Sequence, residues 1–70
     1  MLILNKEKDI LINLNKVRTI SIRVLMPGQF EIYIDDDIVS SYMNEKKAEE
    51  QLLKLIEAYE NGEKIFIMSE

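Results

Sequence analysis

The 70-residue chain contains no cysteine, no histidine and no tryptophan. Without cysteine there is no disulfide, no thiolate nucleophile and no thiolate metal ligand. Without histidine the chain lacks the commonest metal ligand and the side chain best suited to general base work near neutral pH. Its two glycines, Gly28 and Gly62, stand far apart, which excludes a glycine-rich phosphate loop. Ser40 and Ser41 have no imidazole to activate them. The carboxylates of Glu49 and Glu50 fall on an open helix face, with nothing to tune them for acid–base work. Since no nucleophile, base or cofactor motif emerges, the expectation is a non-enzymatic protein without cofactor or metal.

Long apolar runs are also missing. Leu2-Ile3-Leu4 stops at Asn5-Lys6-Glu7-Lys8-Asp9, too short a run for the apolar part of a signal peptide. No stretch approaches the roughly 20 apolar residues that a membrane-spanning helix needs. The expectation is one domain over residues 1–70, cytoplasmic and with no membrane partner.

Positive charge is scarce. Lys+Arg number 9 against 13 Asp+Glu, for a net charge of −4. Residues 1–34 carry five basic and three acidic groups, whereas residues 35–70 carry four basic and ten acidic groups. Displacing counterions from phosphates relies on Lys and Arg, so this balance argues against a nucleic-acid partner. An acidic face can instead meet a basic protein surface.

What the chain does have is one clear helix, Asn44 to Gly62. Ala48, Leu52, Leu55, Ile56 and Tyr59 share a face at 3.6 residues per turn, with Leu53 beside them as part of a wide apolar face. Asn44 can accept a hydrogen bond from a first-turn N–H, and Asn61-Gly62 supplies a left-handed stop. Lys46 and Lys47 at its start, and Glu57 and Glu60 at its end, oppose the helix dipole, so tertiary packing must hold the helix.

The rest reads as short strands. Leu2–Leu4 and Ile10–Leu14 flank a polar turn. Val17–Met26 and Gln29–Ile34 alternate with the period of half-buried strands across Pro27-Gly28, which marks a β-hairpin. Asp35-Asp36-Asp37 breaks the chain before a strand over Ile38–Met43, and Lys64–Met68 follows the helix as a last strand. The predicted fold is α+β: an antiparallel meander of five or six short strands, one C-terminal helix packed on one face, then a short last strand. Leu2–Leu4, Ile10–Ile12 and Ile65–Met68 are apolar on both faces. Either the sheet curls into a half-barrel, or a second chain covers its outer face. A last strand at a sheet edge would also suit strand addition.

Arg23, Glu31 and Tyr33 are expected on the polar face of the hairpin, where Arg and Tyr suit an interaction hot spot. With Asp35, Asp36 and Asp37 of the acidic turn, and Phe66 of the last strand, they form the candidate partner-binding set. Three adjacent aspartates cannot all face one calcium ion, so Asp35–Asp37 reads as a turn rather than a metal loop. Tyr42 reads as a joint between strand and helix.

The chain resembles a group of small uncharacterised proteins of low-GC Gram-positive bacteria and their prophages. The resemblance lies in Met1-Leu2-Ile3-Leu4-Asn5, Ile12-Asn13-Leu14, Tyr42-x-Asn44-Glu45-x-x-Ala48-x-x-x-Leu52 and Phe66-x-Met68. That group more often has Thr or Ser at the helix cap, Gly near Ser40 and Pro in place of Ser69. The resemblance implies an origin and a fold, and no activity. Abundant Ile, Lys, Asn and Glu, with alanine only at Ala48 and Ala58, fit the same origin. The leading expectation is a protein-interaction module that forms a homo-oligomer or binds a protein partner. The alternative is a phage-encoded inhibitor of a host defence or nuclease system that uses its acidic surface.

Overall fold

Asn5 shapes the first turn. In a computed structural model, which describes residues 1–69, its side chain is buried. Its Oδ1 accepts from the N–H groups of Asp9 (2.9 Å) and Ile10 (2.8 Å), and its Nδ2 donates to Asp9 Oδ1 (2.7 Å). That brings β1 (Leu2–Leu4) beside β2 (Leu11–Asn13), antiparallel, with Ile3 opposite Ile12. The strand expected over Ile10–Leu14 ends at Asn13. There the Asn13 side chain accepts from Asn15 N–H and caps a short 3-10 turn, Leu14–Lys16.

That turn separates β2 from the hairpin. The hairpin forms across Pro27-Gly28, but its first strand starts at Ile20 rather than Val17, because the amides of Arg18 and Thr19 donate to the Asp35 side chain. β3 (Ile20–Met26) pairs antiparallel with β4 (Gln29–Ile34), and Gly28 takes the positive φ of +78° that the turn requires. β4 then pairs antiparallel with β5 (Asp37–Tyr42) across the aspartate turn. Asp35 carries that turn at φ 53°, a conformation Asp tolerates better than most residues. Its Oδ1 accepts from the N–H groups of Arg18 and Thr19, each at 3.0 Å. Its own N–H donates to Thr19 O, so the turn is clamped to the start of β3.

The helix α1 (Glu45–Glu60) begins and ends at its expected caps. Asn44 accepts from Lys46 N–H at 2.7 Å. At the other end Glu63 N–H reaches Ala58 O and Gly62 N–H reaches Tyr59 O, with Gly62 at φ +72°: a Schellman stop. The chain then returns as β6 (Ile65–Ile67).

Among the described residues the architecture is α+β, with six strands, the short β6 being the last, and one helix that packs on β4 and β5. The strands divide into two three-stranded sheets, in the orders β2-β1-β6 and β3-β4-β5. Within the first, β6 runs parallel to β1. A bond from Lys6 N–H to Val39 O joins the β1–β2 turn to β5. Ile3 of the first sheet, Ile32, Ile34, Val39 and Tyr42 of the second, Ala48 and Leu55 of α1, and Met68 after β6 form one buried cluster.

Candidate functional site

The three runs that are apolar on both faces fall together in one sheet. Leu2–Leu4, Leu11–Asn13 and Ile65–Ile67 are its three strands. Ile3, Ile12 and Phe66, paired across β1, turn inward against the core. By alternation Leu2, Leu4, Leu11, Ile65 and Ile67 turn outward. Register places Leu4 beside both Leu11 and Ile67, and Leu2 beside Ile65, so the outward side chains are contiguous. Leu11 is 59% exposed, Ile65 54% and Ile67 50%. Leu2 and Leu4, on the central strand, are half-buried.

The edge of the same sheet is open. In the parallel ladder Leu2 N–H donates to Lys64 O and Met68 N–H donates to Leu4 O. The ladder uses alternate residues of β6, which directs the peptide groups of Ile65 and Ile67 away from β1. A groove of about 580 Å³ runs along β6, walled on the other side by Lys54, Glu57, Ala58 and Asn61 of α1 and its stop. The candidate Phe66 is half-buried: it packs against the core and also lines this groove. Its neighbours Ile65 and Ile67 present the surface, because side chains alternate along the strand.

On the second sheet, Arg23 and Ser41 stand opposite Glu31 on either side, and Ser21 and Ile38 stand opposite Tyr33. Arg23 is exposed, as expected, with its guanidinium 4.2 Å from the centre of the Tyr33 ring. Tyr33 and Glu31 are not on an open polar face: they are 9% and 4% exposed. Both lie on the central strand β4, where side chains from β3 and β5 flank them. Glu31 Oε2 accepts from Ser41 Oγ at 3.2 Å, while Oε1 is buried with no hydrogen-bond partner. A carboxylate is a weak base toward a serine hydroxyl, and a nucleophile also needs donors for the charge that develops in attack.

The acidic turn splits in two. Asp35 is committed to the Arg18 and Thr19 amides, whereas Asp36 and Asp37 are exposed. Among the described residues no group of His, Cys, Asp or Glu is arranged to hold a metal ion.

The sequence pattern missed Gln51. It is 3% exposed on the buried face of α1, and its Oε1 accepts from Ser69 N–H (3.2 Å) and Ser69 Oγ (2.8 Å). Tyr42, the expected strand–helix joint, donates its hydroxyl to Ser69 O close by. The helix face is thereby turned: Ala48, Gln51 and Leu55 are buried, while Leu53 (63%), Ile56 (46%) and Tyr59 (59%) stay exposed. Ile56 and Tyr59 border a recess of about 470 Å³ with Leu14, Asn15, Ile20 and Leu55. Among the described residues no helix is long and apolar enough to cross a membrane. Comparison with protein-family models, with curated proteins and with solved structures returned no match.

Proposed function

We propose that this protein is a non-enzymatic protein-interaction module that self-associates through the outer face of the β2-β1-β6 sheet. One observation carries the reading: Leu2, Leu4, Leu11, Ile65 and Ile67 form a contiguous apolar face on which Leu11, Ile65 and Ile67 are half exposed or more among the described residues. Sheets pack face to face through such surfaces at about 10 Å separation. Two copies related by a two-fold would each bury the same patch. Burying the exposed half of a Leu or Ile is worth roughly 1 kcal/mol, so Leu11, Ile65 and Ile67 of two copies gain roughly 6 kcal/mol gross, and the half-buried Leu2 and Leu4 add less. Association itself costs about 4–15 kcal/mol, so the dimer belongs to the weak, concentration-dependent class rather than the obligate one.

Supporting the non-enzymatic part is the chemistry of the side chains. The chain has no histidine or cysteine, and Ser40 Oγ is buried without a hydrogen-bond partner. Leu11→Lys and Ile65→Lys test the reading, since both positions are more than half exposed in the single chain. Each is expected to remain folded and to abolish the dimer in sedimentation velocity. A dimer that survives both substitutions would place the contact elsewhere.

A further inference from the structure

We propose that the open edge of β6 and the groove beside it take an extended segment of a protein partner. The segment adds antiparallel to β6 and sets a lysine or arginine beside Glu57 and Glu63. The edge supplies the backbone contacts. The parallel ladder to β1 uses Lys64, Phe66 and Met68, so the N–H and C=O groups of Ile65 and Ile67 point outward in the plane of the sheet. No other backbone bond among the described residues takes them up. Proteins commonly blunt such edges with a proline, a bulge or a charge, and Ile65-Phe66-Ile67 carries none.

The groove of about 580 Å³ supplies the space. Glu63 N–H donates to Ala58 O and Ser69 N–H to Gln51 Oε1, so β6 runs antiparallel along α1. Ala58 and Phe66 line the groove together, and the small alanine leaves room beside the ring. In an added strand the residue opposite Phe66 shares its face and fills that room. Charge selects the occupant. Glu57 and Glu63 are exposed at the Ile65 end of the groove, where the last turn of α1 holds no basic residue. The partial negative charge of the helix C-terminus falls at the same end. By alternation the residue opposite Lys64 also turns toward α1, so a basic side chain there meets both carboxylates. Pairing with β6 of a second copy about Phe66 would set Met68 opposite Lys64 and bring no cation to that position.

The experiment is an NMR titration of the isotope-labelled 70-residue chain, followed at the Ile65 and Ile67 amides. The probe is the acetylated and amidated peptide Thr-Val-Thr-Lys-Thr, whose valine and lysine fall opposite Phe66 and Lys64. It is expected to shift both amides saturably and to slow their hydrogen exchange. N-methylation at the second threonine, whose N–H faces Ile65, should weaken binding about tenfold. N-methylation at the valine, whose N–H faces away from β6, should weaken it less than about twofold. A norleucine twin without the charge should bind about threefold more weakly, a difference that Glu57→Gln with Glu63→Gln removes. Ala58→Met fills the groove and should abolish the saturable shift; should that chain not fold, the contrast between the N-methyl twins on the unaltered chain decides. The same results are expected in Leu11→Lys, which lacks the outer-face contact, so failure of the dimer and failure of strand addition stay distinguishable. No saturable shift, or equal weakening by the two N-methyl twins, would overturn the proposal. So would Ile65 and Ile67 amides of Leu11→Lys that shift with chain concentration alone, which would identify a second copy as the occupant.

Discussion

Asp35 shows how much one side chain can settle. It takes a left-handed backbone conformation, turns the chain between β4 and β5, and accepts two amide protons from the segment leading into β3. Asp35→Ala removes the acceptor and places a Cβ-bearing residue with no local hydrogen bond at positive φ. The expected loss is about 1–3 kcal/mol in urea unfolding, since charge-assisted bonds to backbone amides resemble helix caps in worth. Asp35→Asn keeps an acceptor and tolerates the same conformation, and should lose less than half as much. Equal losses would mean that the charge, rather than the hydrogen bonds, holds the turn. Three aspartates in a row were legible as a turn. Which of them is structural was not, because the amides of Arg18 and Thr19 reach Asp35 from 16 to 17 positions away.

Among the elements, α1 had the strongest sequence signal, and its caps lie where Asn44 and Gly62 placed them. Its orientation was harder to read. Gln51 lies three residues after Ala48 and four before Leu55, at the centre of the stripe, but a polar residue there does not announce burial. It is buried because Ser69 returns to bond with it. Leu53 and Leu55 separate the two orientations. Leu55→Ala should cost about 2–5 kcal/mol by opening a core cavity, and Leu53→Ala should stay within about 0.5 kcal/mol. Similar losses at both would contradict the packing described.

β6 was legible as a strand and as an edge, but not in its pairing. A three-residue run carries no register signal, and its parallel partner β1 lies at the other end of the chain. The ladder predicts a contrast between adjacent positions. Ile67→Pro removes an N–H that faces away from β1, so the chain should fold with little change in its denaturation midpoint. Phe66→Pro removes a ladder bond and a core side chain, and should lose several kcal/mol. Tolerance of proline at Phe66 would refute the register.

For the whole molecule, a chain of this size buries only about 60% of its unfolded surface, so six strands and a helix share a thin core. The two sheets divide the work differently. β3-β4-β5 packs against α1, and its central strand is buried on both faces. β2-β1-β6 contributes Ile3 and Phe66 inward and leaves an apolar face outward. Two-sided hydrophobicity in three separate runs was visible in the sequence. That all three belong to one sheet was not, because the return of β6 to β1 depends on contacts distant in the chain. Their union in one sheet is what turns a compositional oddity into a surface. The central claim is that a second copy covers this surface, and sedimentation velocity from about 1 µM to 1 mM tests it most directly. The result predicted is a mass that rises with concentration from 8.2 kDa toward twice that value and falls back to 8.2 kDa in Leu11→Lys and Ile65→Lys. A constant 8.2 kDa across the whole range for the unaltered chain would contradict it.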